Sequence, residues 1–224
     1  MKKLLLSVVV MIISITSYAQ EKDITKFLGI PIDGTKAEMI AKLKEKGFTP
    51  TEYNKDVLEG EFNGTEVYVH IVTNNNKVYR IAVIDKISKN ATDIKIRFNN
   101  LCYQFKNNTR YSSGSDQAIS EEEDISYEMT VHNKRYEAIF FQTTKEQDED
   151  VNNISEMLVK TILDSTLSED DRKEKQKEIA DKIFESSSKG MHKVVWFMIS
   201  KDYGKFYITM FYDNELNKAN GEDL

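Results

Sequence analysis

Hydrophobic and polar positions along this chain change period several times, and each change marks an element. Thr35 followed by Glu38 fits a capping box, Ala37, Ile40 and Leu43 recur at helical spacing, and Gly47 supplies the left-handed residue that ends such a helix. Beyond it the period drops to two. Leu58, Gly60 and Phe62 alternate with polar residues up to Asn63-Gly64, a dipeptide suited to a type I′ hairpin turn, and Val67, Val69 and Ile71 continue on the returning strand. Pairing across that turn sets Phe62 opposite Thr65 and Gly60 opposite Val67. Reading Asn74-Asn75-Asn76 as a three-residue loop then sets Ile71 opposite Tyr79 and Val69 opposite Ile81. One face is apolar: Leu58, Phe62, Val67, Val69, Ile71, Tyr79, Ile81 and Val83. The other carries Glu59, Glu61, Tyr68, His70 and Arg80.

A second helix is predicted from Ala91 to Lys106, with Ile94, Phe98, Leu101, Cys102 and Phe105 on one stripe. Cys102 falls inside that stripe and reads as a small buried hydrophobe, since no motif supplies it with an activating partner. Residues from Asn107 to Asp124 read mostly as loop. Ile125, Tyr127, Met129 and Val131 then alternate strictly with polar residues, which predicts a strand returning through Asn133-Lys134 to pair Val131 with Tyr136, Met129 with Ala138 and Tyr127 with Phe140. From Thr143 to His192 helical spacing takes over (Val151, Ile154, Leu158, Ile162, then Ile179, Ile183, Phe184), with Ser168 and Asp171 as a second capping box. Its charge run, Glu169 to Glu178, reads as a solvated helix face. Val194–Ser200 and Lys205–Tyr212 form a last hairpin. With Ser200 opposite Lys205, Val195, Phe197, Ile199, Phe206, Ile208 and Met210 share one face, and Val194, Trp196, Met198, Tyr207, Thr209 and Phe211 the other.

The fold class expected is α+β, an antiparallel sheet with helices packed on one face. Its layout is an approximate tandem repeat of a helix-plus-meander unit, residues 26–85 and 91–213, with a helical insertion at 143–192, all in one domain spanning 20–224. The segments FLGIPIDGTKAEMIAKLKEKGF and EGEFNGTEVYVHIVTNNNKVYRI and the tail FYDNELNKANGEDL resemble exported proteins of Bacteroidetes with no assigned activity. The helix-then-meander layout is similar to the fold of the beta-lactamase inhibitor protein and of small outer-membrane assembly lipoproteins. That resemblance implies a fold and an exported location, and it brings no functional residue with it.

Composition changes this picture at the N-terminus. Residues 1–19 read as a signal peptide: Lys2 and Lys3, an apolar run from Leu4 to Ile15, and Ser17-Tyr18-Ala19 as a cleavage site before Gln20. The run is too short for a bilayer core of about 30 Å. The expected location is therefore the periplasm or the cell exterior, with no membrane span after cleavage. The formal charge of −6, more negative still without Lys2 and Lys3, argues against nucleic acid as a partner. The single cysteine leaves no internal disulfide.

Catalytic signatures are sparse. His70, His132 and His192 form no HExxH or HxH pattern, there is no GxSxG, P-loop or GxGxxG, and the acidic runs Glu121–Asp124 and Asp148–Asp150 lack the spacing of a calcium loop. No cofactor and no metal are implied, and no residue is assigned a catalytic role. Two function classes follow. The first is a non-catalytic binding module whose partner is another envelope or extracellular protein, recognised through Tyr68, His70, Arg80, Trp196, Tyr207 and Phe211, because aromatics and Arg are enriched at interfaces. The second is an exported hydrolase with its acid or base among Glu59, Glu61 and Glu137. Whether the insertion covers the aromatic face separates an open surface from a second core, and oligomeric state is left open.

Overall fold

Thr35 caps the first helix as its spacing demands: its hydroxyl accepts from Glu38 N–H while Glu38 accepts from Thr35 N–H at 2.8 Å. In the computed structural model, which describes residues 23–219 other than 114 and 165, this helix is α1, Lys36–Glu45. Its buried pair is Met39 and Leu43, one turn apart, with Ile40 at the rim and Ala37 exposed. α2, Ala91–Lys106, matches its predicted bounds and buries the stripe Ile94, Phe98, Leu101, Cys102 and Phe105.

The strands are β1 (Lys26–Phe27), β2 (Ile30–Pro31), β3 (Thr49–Pro50), β4 (Val57–Phe62), β5 (Thr65–Asn74), β6 (Lys77–Asp85), β7 (Tyr111–Ser112), β8 (Glu137–Gln142), β9 (Lys193–Asp202) and β10 (Lys205–Asn214). β1 and β2 form a small hairpin, and the others one antiparallel sheet ordered β3-β4-β5-β6-β10-β9-β8-β7. Two three-stranded meanders, β4–β6 and β8–β10, thus join side by side through β6 and β10.

Across Asn63-Gly64 the pairing is as expected, Phe62 with Thr65 and Gly60 with Val67. A Cβ on Gly60 would meet the Phe48 ring at 2.8 Å, so this strand position must stay bare for Phe48 to pack. The next two turns are tighter than expected. Only Asn75 and Asn76 turn between β5 and β6, both with positive φ, and Ile71 pairs with Ile81 and Val69 with Val83. A bulge leaves Tyr79 as the extra residue, so Val78 and not Tyr79 faces the core. Likewise Tyr203-Gly204 alone turns between β9 and β10, so that Ser200 pairs with Tyr207 instead of Lys205. Both net slips are even, and apart from the bulge itself even slips keep side chains on their faces.

The strand expected at Ile125–Val131 is instead helix α3. Asp124 caps it by accepting from Tyr127 N–H at 3.0 Å, and Ile125 and Met129, one turn apart, face the core. The seven-residue alternation satisfied both periods; Asp124 supplies the cap a helix needs, and the packing of Ile125 and Met129 into the core selects it. The predicted hairpin pairing of Val131, Met129 and Tyr127 with β8 is therefore absent. β8 pairs with β9 instead, Ala138 with Phe197 and Phe140 with Val195. The insertion is helical as expected: α4 (Lys145–Leu163) and α5 (Glu169–Lys189) pack on each other, tied at their base by Gln147 Nε2 donating to Ser186 O at 2.9 Å.

The β1–β2 hairpin and helices α1, α2 and α3 all belong to one side of the sheet, where Val67, Val69, Val83, Val195, Phe197, Ile208 and Met210 are buried. α2 is pinned to that side by a forked ion pair. Arg97 Nε and Nη2 donate to Asp85 at 2.6 Å each, and Ile208 N–H donates to the same carboxylate. No helix among the described residues is long and apolar enough to cross a membrane. The proposed leader and its cleavage site lie outside the described residues.

Candidate interaction face

With every core-forming helix on one side, the other face of the sheet is left to its own side chains. Cross-strand register arranges them in rows. One row runs Val57, His70, Ala82, Phe211, Trp196, Ile139 from β4 to β8, and the next runs Glu59, Tyr68, Ile84, Thr209, Met198, Glu137. Ile139 is 41% exposed, and Trp196, Phe211, Met198, Tyr68 and His70 keep part of their surface in solvent, whereas facing-side residues on the same strands are sealed.

At the centre sits a stacked cluster. The Trp196 and Phe211 rings lie 4.2 Å apart at 24°, and the Arg80 guanidinium lies 4.7 Å from the Phe211 centroid and 5.6 Å from that of Trp196. Asp213 organises all three. It accepts from Arg80 Nε and Nη2 at 2.6 Å each and from Trp196 Nε1 at 3.0 Å, with its side chain 3% exposed. Those hydrogen bonds raise the Arg80 pKa further despite partial burial, so the guanidinium is a fixed, neutralised part of the platform. Its planar fork can serve Asp213 edge-on and Phe211 face-on at once, which a Lys could not do.

The six candidate residues all project from this face, but only three of them touch. Arg80, Trp196 and Phe211 form the cluster. His70 shares their row across Ala82, about 10 Å from Phe211 at the usual strand spacing. Burial lowers the His70 pKa, helped by the charge of Lys36. Tyr68 lies in the neighbouring row under Lys86, 5.5 Å from its ring centroid, and Lys86 pairs with Glu59 at 2.9 Å. Tyr207 lies four residues from Phe211, about 13 Å along the strand.

No protein-family model, curated protein or solved structure matches this chain. The reading of the face therefore rests on its own geometry.

Of the carboxylates considered for hydrolysis, Glu59 and Glu61 lie two residues apart on one face of β4, about 7 Å along the strand, and Glu137 stands apart from both. Glu59 and Glu137 end the same row five strand spacings apart, about 24 Å, against the 5 to 9.5 Å that paired-acid glycoside chemistry uses. Glu61 neighbours Glu59 on β4 and faces Glu66. Two shallow depressions, of about 330 and 390 Å³, are lined by residues such as Phe105, Tyr111 and Asp116 in one and Asn63, Asp93 and Gln104 in the other, and contain none of these acids.

Asp213 lies one residue beyond Tyr212, where the alternation predicts the end of the last strand, and is therefore absent from the predicted face. Extending the alternation Tyr207, Thr209, Phe211 by one step would have placed an acid on the aromatic face. Gln117 is absent from it too. Its amide accepts from Ile139 N–H at 2.6 Å and donates to Ile139 O at 3.0 Å, imitating a neighbouring strand and blocking the edge of β8 beside the row.

Proposed function

We propose that the chain is an exported, non-catalytic binding protein that receives another envelope or extracellular protein on the open face of its sheet. The observation that carries this reading is the Trp196–Phe211–Arg80 stack, held rigid by the buried Asp213 at the middle of a face that α1, α2 and α3 leave uncovered. A preformed aromatic anchor loses little side-chain entropy on binding, and such anchors carry most of the energy of protein interfaces. The rim acids Glu59 and Glu137 are paired with Lys86 and Arg135, so what the face offers a partner is chiefly its aromatic and apolar row, and the fitting partner has an apolar ridge. Export is supported by the leader pattern of residues 1–19.

The test is the double substitution Tyr207→Ser and Phe211→Ser, made in protein used to capture its partner from the native envelope fraction. Both side chains keep part of their surface in solvent, so the unfolding midpoint should move by the equivalent of about 1 kcal/mol while capture is lost. A stable double variant that still captures the same partner refutes the face as the binding surface.

A further inference from the structure

A polar groove runs between α2 and the Asn63-Gly64 turn, and none of its lining residues belongs to the aromatic face. Asp93, Arg97, Asn100 and Gln104 recur at i, i+4, i+7 and i+11, so they share one side of α2 and edge the groove over about 16 Å of helix. Asn63, Thr65 and Lys89 line the other edge, and Asn63 Nδ2 donates across to Gln104 Oε1 at 2.8 Å. Several of these groups are left with hydrogen-bonding capacity. Arg97 spends Nε and Nη2 on Asp85 and keeps Nη1. Among the described residues, the Lys89 ammonium, the Asn100 amide and the Thr65 hydroxyl have no hydrogen-bond or ion-pair partner. Asp93 pairs with no cation, its carboxylate accepting only from Asn90 Nδ2 at 2.8 Å.

We propose that this groove binds a short, neutral oligosaccharide. Its volume of about 390 Å³ falls within the range of about 300–1,000 Å³ that small-ligand sites occupy. Charge narrows the class of ligand. Asp93 balances Lys89 and Asp85 balances Arg97, so the lining has no net charge with which to select an ion. What it keeps is a mixture: the donors of Lys89, Arg97 Nη1 and Gln104 Nε2 stand beside the acceptors of Asp93 and Asn63 Oδ1. A sugar hydroxyl donates and accepts at once and can use both kinds, whereas a carboxylate, which only accepts, or an ammonium, which only donates, would leave half of them unmatched. Ile96 and Leu101, also in the lining, give the carbon-bound face of a sugar ring an apolar contact. A peptide fits less well, because peptides are read by an open strand edge, an apolar groove, an aromatic row or an Arg cluster, and this groove offers none of these.

Isotope-labelled protein followed by amide NMR should be titrated separately with cellotriose, maltotriose and tri-N-acetylchitotriose at millimolar concentration. At least one sugar should move the signals of Asn63, Thr65, Lys89, Asn100 and Gln104 while the Trp196 indole stays in place. Lys89→Met and Asn100→Ala remove side chains that hold nothing else, so each should keep the unfolding midpoint of the parent and weaken binding of that sugar about tenfold. Lys205→Met, outside the groove, should leave binding unchanged. If a groove variant unfolds, the shift map of the unsubstituted protein decides the matter. The proposal is overturned if none of the three sugars moves the groove signals, or if both groove variants bind as tightly as the parent. Equal binding of capped trialanine or of trigalacturonate would overturn it too, and so would shifts confined to Trp196, which would assign the sugar to the sheet face.

Discussion

Removing Arg80 should cost more than removing Asp213, although the two make the same pair of hydrogen bonds. Arg80→Met leaves the Asp213 carboxylate 3% exposed, with the Trp196 indole as its one remaining side-chain donor, and stranding a buried charge costs about 3–5 kcal/mol. Asp213→Ala leaves a guanidinium that is 22% exposed and can turn toward water, so its loss should be about 1.5–3 kcal/mol, including the unsatisfied indole N–H. Arg80→Met with Asp213→Ala removes both charges and should cost less than Arg80→Met alone, a coupling of about 2–3 kcal/mol. Urea unfolding followed by Trp196 fluorescence reads the cluster directly, because Trp196 is the sole tryptophan. With a slope of about 2 kcal/mol per molar urea, Arg80→Met should lower the midpoint by about 2 M. Circular dichroism must give the same midpoint for the two-state treatment to hold. Equal losses for the two single variants, or a double variant whose loss is their sum, would refute the view of Asp213 as a buried charge dependent on Arg80.

Val69→Ala and Ile81→Ala, both sealed beneath α1, should each cost about 2–4 kcal/mol by urea denaturation, and Phe62→Ala, at the rim against Phe27 and Tyr212, about half as much. His70 has a folded pKa below its unfolded value, so the unfolded chain binds the extra proton first. Its contribution is whole above about pH 6.5 and is lost as the pH falls toward the folded value, and His70→Gln should flatten the stability curve between pH 7.5 and 5.5. Burial pushes the Cys102 thiol up to about 12, aided by the charge of Asp116, so a thiol reagent at pH 8 should react slowly with native protein and fast in urea, and fast native labelling would place Cys102 at the surface.

The sequence by itself determined every element whose signal is local and redundant. The capping box of Thr35 and Glu38, the bounds of α2, the Asn63-Gly64 turn and the helical character of residues 143–192 depend on contacts within a few residues, so they are written in neighbouring positions. Side-chain parity was equally secure. The turn at Asn75-Asn76 is one residue shorter than expected and the Tyr79 bulge adds one more, while the turn at Tyr203-Gly204 is two residues shorter, yet the predicted faces survived, except at Tyr79 itself, because a net slip of two preserves the pleat.

Tertiary structure decided what local pattern leaves degenerate. Ile125–Val131 satisfied strand and helix periods alike, and packing of Ile125 and Met129 into the core beside α2 selected the helix. The join of β6 to β10 lies between residues more than a hundred positions apart, and no local rule encodes which strands meet. That join makes the candidate site. It sets Arg80 beside Asp213 and Ala82 beside Phe211, turning side chains that the sequence could assign only to a common face into a stack with a fixed charge at its base. The sequence fixes which way each residue points, and the order of strands fixes what stands beside it, because pleat alternation acts over one residue and strand pairing acts across the whole chain.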